Sequence, residues 1–416
     1  MANVLIFGAV ILSAALLNAG NGLIQTLLPI RLTVEGFSAS ASGVMLAGHA
    51  VGFLVGCLSA PGAIQRVGHI RVFAAAAAIL SITSLAFSIA VDTVFWTLLR
   101  LATGFASAAM FTALESWLNA GTTRDIRGSV MGVYMVAGKI ALIGGQLMLT
   151  LPFEPISIFM LGSAVYSLCL IPMAMTQTPS PDVSRVRPIS LKEIYAIAPA
   201  ALAGCLAAGL VNSAVAGLAP VYATQIDLPR ELAAVSVSAL QFGTLLLQWP
   251  LGRMSDRFDR RRIIVTIGAV SAAASIALLF GSTLPVWLLF TLFAVWGGFA
   301  LSIYAVSIAH ANDLAHRDQL ISLSSGLLMV WAFGSMMGPV VGAGIMELFG
   351  PSGLFGYSGA MYALLTAFIV WRMTARRGVP AERQVFVDVP TTTPMAAKLA
   401  HAEAPDGSAT QVQPPR

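Results

Sequence analysis

Charge is scarce in this chain: Asp, Glu, Lys and Arg make up 10% of its 416 residues, far below the roughly 25% of an ordinary soluble domain. Together with 57% hydrophobic residues and a mean hydropathy of +0.84, that deficit excludes a water-soluble globular protein. Cysteine is scarce too. Cys57, Cys169 and Cys205 fall inside apolar runs without paired spacing, so neither a disulfide framework nor a zinc site is expected, and they read as small core residues. The five histidines, His49, His69, His310, His316 and His401, form no ligand cluster, and no G-x-x-x-x-G-K-[ST] loop is present. No metal and no cofactor is expected, nor an intramembrane enzyme, which needs a nucleophile and base or metal ligands on adjacent helices. The alternation of a barrel strand is missing as well. The first apolar run, Val4 to Ile30, lacks a basic leader and a small-residue cleavage site and is too long for a signal peptide.

What the chain has is apolar runs long enough to cross a hydrocarbon core, about 20 residues each. Cutting at charged, proline-rich or turn-like breaks gives twelve, at 4–30, 40–63, 71–91, 93–118, 128–151, 155–175, 194–222, 231–251, 262–282, 285–311, 319–347 and 353–373. The long polar interior segment, Gln177 to Glu193, carries three prolines and divides the runs six and six. The expected organisation is a six-helix bundle at 1–176, a linker at 177–193, a second six-helix bundle at 194–375, and a disordered tail at 376–416.

Lys and Arg favour cytoplasmic loops. Loops after even-numbered spans hold Arg66, Arg71, Arg124, Arg127, Arg185, Arg187, Lys192, Arg253, Arg257, Arg260, Arg261, Arg262 and Arg317, against Arg31 and Arg230 on the opposite side. Both termini are therefore expected in the cytoplasm, and the net charge of +5 reflects sidedness rather than a nucleic-acid partner. Sliding the sequence by 191 residues aligns Asn21 with Asn212, Pro29 with Pro220, Gly52 with Gly243, Arg66 with Arg257 and Arg71 with Arg262. Parallel six-helix repeats are one of the symmetric designs of secondary transporters.

The segment "GRMSDRFDRRR" carries a sharper signal. Gly252, Asp256, Arg257, Arg260 and Arg261 match the G-x-x-x-D-R-x-G-R-R signature of the major facilitator superfamily, with Asp259 in place of its last glycine. "PGAIQRVGHIR" is a weaker first-half copy that keeps Arg66 and Gly68 but has Gln65 at the Asp position, and "RLATGFASAA" resembles the superfamily's fourth-helix R-x-x-x-G. "LQWPLGRMSDRF", "LESWLN", "GGQLML" and "SMMGP" resemble the bacterial YcaD-like branch. The antiporter string G-x-x-x-G-P-x-x-G occurs at Gly334 to Gly342, on the eleventh span rather than the fifth. The resemblance implies an all-α membrane protein with the superfamily's fold: twelve transmembrane helices in two pseudo-symmetric six-helix bundles. It also implies a bacterial inner-membrane location and a secondary active transporter that moves a small solute by rocking, driven by H⁺. The likeness leaves open a multidrug-type exporter, or a membrane receptor or regulatory protein that keeps the fold without cycling. A monomer in contact with membrane lipids is expected.

Asp256 reads as a latch: a carboxylate that reaches the N-terminus of the fifth helix near Arg127 and Gly128, where unpaired N–H groups favour an anion, and holds the inner side closed. Arg257 and Arg260 would orient it, with Arg66 as the counterpart in the first half; the bland reading is a positive-inside anchor on anionic headgroups. Ionisable residues inside spans are costly and mark cavities or partners. Arg100 shares a stripe of the fourth helix with Ser107, Phe111 and Glu115; it can hold an anionic solute or couple to protons, or else snorkel to headgroups. Glu115 reads as a partner for Arg124 or Arg127, or as a proton carrier. Lys139 lies about 18 Å into the fifth helix at 1.5 Å per residue, which calls for an anion or a wet cavity. Asn18, Asn21 and Gln25 share a face of the first helix. Together with Asn212, Gln146 and Gln241 they read as cavity lining or as interhelical glue. His49 and His310 can titrate near neutral pH, or are satisfied structural histidines.

Overall fold

The computed structural model describes residues 7–122, 124–175, 189–316, 319–375 and 392–393. Among them every regular element is a helix. Twelve are long and apolar enough to span a membrane: Gly8–Val34, Ala39–Val67, His69–Ala86, Thr93–Leu118, Ile126–Thr150, Ile156–Ala174, Pro199–Gln225, Arg230–Arg257, Arg260–Leu278, Val286–Leu314, Ser322–Phe349 and Gly353–Thr374. Large apolar side chains such as Leu58, Ile82, Leu246, Trp287 and Leu364 stand exposed on the outer faces, as lipid-facing surfaces require.

The boundaries shift where charge was read as a break. The first helix runs through Pro29 and Arg31 to Val34, and the eighth continues to Arg257, so the arginine-rich segment is mostly helical, with a turn only at Phe258 and Asp259. The seventh span starts at Pro199, preceded by a short helix, Leu191–Ile197, at the end of the expected linker. A capping box explains that helix: Ser190 accepts from the Glu193 amide, and the Glu193 carboxylate accepts from the Ser190 amide, which satisfies two orphan N–H groups at once. The expected linker residues 177–188 lie outside the described residues, and so does most of the expected tail.

The internal repeat is built into the backbone contacts. In membranes, helices associate through close packing of small residues. On the second and fourth spans, Gly52 lies against the Leu101 carbonyl and Gly104 against that of His49; on the eighth and tenth, Gly243 lies against Ala294 and Gly297 against Leu240. Gly145 of the fifth span meets the Ala19 carbonyl, as Gly338 of the eleventh meets Leu210. Pro29 and Pro220 recur inside their helices, and in each case a hydroxyl four residues on, Thr33 or Thr224, donates to the proline carbonyl at 2.9 and 2.8 Å.

Each half has its own apolar core, and the two cores meet near one end. Ala39 belongs to the core of the second half, Ala223, Ala233 and Ala234 belong to that of the first, and Leu46 and Leu228 pack on both. Polar contacts reinforce the same end. Arg230 donates to the carbonyls of Phe153 and Leu151 at 3.2 and 3.3 Å, and the Ser40 amide donates to Glu347 at 2.9 Å. This end is opposite the arginine-rich segment.

Neighbouring glycines of the fifth span give a direct test of the packing. A Cβ at Gly145 would collide with the Ala19 carbonyl, whereas one at Gly144 meets nothing within 4 Å. Gly145→Ala is expected to lower stability by about 1–3 kcal/mol through overpacking. Gly144→Ala should be neutral or stabilising by up to about 1 kcal/mol through helix propensity. Thermal unfolding in detergent reads both; equal melting shifts would contradict the close approach.

Candidate functional site

Two adjoining cavities lie between the halves. The first, about 280 Å³, is walled by Gln25, His49, Arg100 and Gln146 from the first half and by Gln241 and Ser335 from the second, with Phe53, Phe111 and Trp331 as apolar faces. The second, about 390 Å³, takes in Asn18, Tyr134, Lys139, Asn212, Gln241 and Gln248. Of the substrate-binding and coupling candidates read from the sequence, Asn21, Glu115 and His310 line neither cavity.

Arg100 comes from the fourth span, whose first turn is capped by Asp92 accepting from the Phe95 amide at 2.7 Å. The arginine is 3% exposed, and its Nε has no hydrogen-bond partner among the described residues. The same holds for Gln146 Oε1 and Ser335 Oγ in the same cavity wall. Three unpartnered buried polar atoms on residues that line one cavity are unusual, because more than nine in ten such groups are paired. Beside them, the Thr103 hydroxyl donates to the Arg100 carbonyl at 3.0 Å, so it accepts from Nδ1 of His49 at 3.3 Å.

In the second cavity, Lys139 Nζ donates to Gln241 Oε1 at 2.8 Å and so links the fifth and eighth spans across the interface. Asn212 has a structural task besides lining this cavity. The tenth span breaks at Leu301 and Ser302, and the carbonyl of Ala300 at that break accepts from Asn212 Nδ2 at 2.9 Å and from Tyr362 at 3.3 Å. Asn212 itself sits in a π-helical turn, Ala208–Asn212. Its first-half counterpart, Asn21, accepts from Tyr166 at 3.0 Å, as Asn212 accepts from Tyr362 at 2.5 Å. Asn21 is thus glue between the first and sixth spans.

Glu115 is fully buried. Tyr134 donates to it at 3.2 Å, and so do the hydroxyls of Thr392 and Thr393 from the tail. Arg127, one of the two partners expected for Glu115, donates to the Thr122 hydroxyl and carbonyl at 3.2 and 3.1 Å. The side chain of Arg124 lies outside the described residues.

The arginine-rich segment centres on Arg260, which is fully buried. Its Nε donates to Asp313 at 2.5 Å, and its terminal nitrogens reach Ser255 at 2.8 Å, Asp256 at 3.3 Å and the second Asp313 oxygen at 3.4 Å. In this pose, then, Asp256 pairs with Arg260 within its own half. Gly252 is buried in the helix, whereas Arg257 and Arg66 are exposed. His310 lies close enough to Asp259 to act on it electrostatically. Asp313 escaped the sequence reading because the tenth span was cut at 311; the helix runs on to Leu314.

The motif's departure at Asp259 has a physical account. Its counterpart Gly68 ends the second helix at φ 88°, a conformation that favours glycine, whereas Asp259 sits at φ −53°, open to any residue. There its carboxylate caps the ninth span, accepting from the Arg261 amide at 2.9 Å and from the guanidinium at 2.8 Å. Burial pushes this carboxyl up, but the Arg261 hydrogen bonds and charge win and hold it below the usual carboxylate value.

Two predictions follow from these charges. Removing Asp313 takes from a buried guanidinium its shortest ion pair and two of its four hydrogen bonds, so Asp313→Ala should cost about 3–5 kcal/mol. Asp256, whose side chain is one-third exposed, should cost no more than about 1 kcal/mol on conversion to Asn; matched losses in thermal unfolding would contradict the buried clamp. Because the Asp259 pKa is depressed on folding, its stabilisation is full above the unfolded value near 3.9 and fades as pH falls through the folded one. Asp259→Asn should therefore flatten the stability profile only below about pH 4, which acid titration of the melting temperature measures.

Comparison with known proteins places this geometry. The sequence model of the Major Facilitator Superfamily matches residues 10–242 and again 201–401. The chain is 25% identical over 343 residues to an Escherichia coli K12 protein described as the uncharacterized MFS-type transporter YcaD, an alignment covering 82% of this chain and 88% of that one. Its fold is similar to that of the nucleoside transporter NupG, with a TM-score of 0.73 at 15% identity over 90% of this chain and 100% of that one. It is also similar to a bacterial homolog of the human lysosomal transporter Spinster in an inward-facing, occupied conformation, with a TM-score of 0.70 at 14% identity over 91% and 98%. With twelve membrane-spanning helices in two repeated halves, the signature around Asp256 and a family match across both repeats, this multi-pass membrane protein belongs to the Major Facilitator Superfamily.

Proposed function

We propose that this membrane transporter carries a small polar or anionic solute, coupled to H⁺, by rocking its two halves about the central cavities. The observation that carries the reading is the trio of buried atoms Arg100 Nε, Gln146 Oε1 and Ser335 Oγ on one cavity wall without hydrogen-bond partners among the described residues. A guanidinium, an amide oxygen and a hydroxyl among the residues lining one cavity suit a carboxylate-sized anion bearing a donor group, and Phe53, Phe111 and Trp331 suit an apolar body.

With the arginine-rich loops in the cytoplasm, the sealed end faces outward and the pose is open to the inside. Closure of the inner side would free Asp256 from Arg260 to latch onto the fifth helix, biasing the outward-open pose by about 1–3 kcal/mol. His49, on the cavity wall beside Arg100, is the group best placed to exchange a proton in step with the solute.

A thermal-shift screen of anionic, neutral and cationic solutes on the purified protein tests the substrate class. A ligand at a hundred times its Kd adds about 2.7 kcal/mol of stability. Anions should produce the shift, Arg100→Ala should abolish it, and Lys139→Ala should weaken it less. An anion shift that survives in Arg100→Ala would refute the assignment, and so would stabilisation by cations alone.

A further inference from the structure

Thr392 and Thr393 belong to the chain beyond the last span, yet they lie inside the molecule. Thr393 is 1% exposed, and Thr392 borders both cavities. Their hydroxyls donate to the two different oxygens of Glu115, and the Thr392 carbonyl accepts from the Cys57 thiol at 3.7 Å. Glu115 lies fifteen residues beyond Arg100 on the fourth helix, about 22 Å along the axis at 1.5 Å per residue, toward the arginine-rich end. The chain has the reach, since the seventeen steps from Ala375 to Thr392 cover up to about 60 Å when extended.

We propose that Glu115, Tyr134 and Cys57 form a binding site for the chain's own Thr392–Thr393, making this pair a tethered plug on the route between the central cavity and the arginine-rich end. The chemistry is specific. A buried carboxylate is costly unless donors surround it, and three hydroxyls converge on this one, from Tyr134, Thr392 and Thr393. The threonine hydroxyls in turn escape the cost of burial because each meets a carboxyl oxygen of Glu115. Because the plug borders both cavities, it fits only a pose whose halves are parted at that end. It therefore holds the open pose and yields when a solute or a closing motion displaces it. Negative charge added at Thr392 or Thr393 would be repelled by the Glu115 carboxylate.

Cys57 is a built-in reporter, 6% exposed beneath Thr392. In full-length protein carrying Cys169→Ala and Cys205→Ala, the rate of N-ethylmaleimide labelling at Cys57 measures how often the plug leaves. The double variant Thr392→Ala with Thr393→Ala loses two hydrogen bonds to a carboxylate and should label about tenfold faster or more. Thr392→Glu with Thr393→Glu should do the same by repulsion. Thr392→Ser with Thr393→Ser keeps both hydroxyls and should label at the parent rate, a result that bulk packing alone would not produce. Parent-rate labelling in the alanine variant overturns the proposal, as does a serine variant that labels as fast as alanine. The assay needs no solute, so its outcome is independent of the assignment of Arg100.

Discussion

Backbone pressed against backbone at glycine is the contact on which the rest of this molecule rests. Lipid gives apolar helices no reason to leave it for one another, so association depends on close van der Waals packing, and that is densest where a missing Cβ lets a carbonyl approach. Those contacts join the second span to the fourth and the first to the fifth, and they recur in the second half between the eighth and tenth and between the seventh and eleventh. They stiffen each half internally. Between the halves, the seal at one end is made of alanine and leucine with a few polar contacts, and deeper in the interface two cavities replace the packing. Two stiff bodies with a light seam are the mechanical requirement for rocking.

Irregular backbone is tolerated at membrane depth only where other groups satisfy it, and the second half shows how. The break in the tenth span frees the Ala300 carbonyl, which Asn212 and Tyr362 then occupy. Asn212 itself lies in a π-turn of the seventh span, and such turns gather at functional sites. The first half has the equivalent asparagine and a tyrosine to match it but an unbroken fourth helix. The repeat is therefore symmetric in its packing and asymmetric in its irregularities, and the irregularities border the cavity.

Much of this was legible in the sequence. Hydropathy alone counts the spans, because a membrane-crossing helix must be apolar for its whole length, and the 191-residue offset finds the repeat at Asn21 and Asn212, Pro29 and Pro220, and Gly52 and Gly243, although Gly297 and Gly338 lie two residues beyond the offset from Gly104 and Gly145. Polar residues within spans were legible as a class, and Gln25, Arg100, Lys139, Gln146, Asn212 and Gln241 do line the cavities. Their partners were not. Asn18 and Asn21 share a face of one helix, yet one borders a cavity and the other is spent on Tyr166, because facing depends on what the neighbouring helix supplies. The ends of the eighth and tenth spans were cut short because charge reads as loop. A helix can nonetheless carry charge past the membrane surface, which is how Asp313 came to be missed. Nothing in the tail's composition announces Thr392 and Thr393; their burial depends on Glu115, nearly 280 positions earlier.

Three cationic side chains within the spans are handled in three ways, and the differences sort structure from function. Arg260 is surrounded by Asp313, Asp256 and a serine, the full compensation a permanently buried charge needs; such a group holds a shape. Lys139 donates to the amide oxygen of Gln241 across the seam, a bond that parting of those helices breaks. Arg100, as buried as a core residue, keeps an unpartnered Nε on a cavity wall among the described residues. Desolvating a guanidinium without full compensation is expensive, and the proposed solute would relieve that expense while bound. Arg260 at the rim is thus surrounded by acceptors, whereas Arg100 at the cavity keeps one nitrogen without a partner among the described residues.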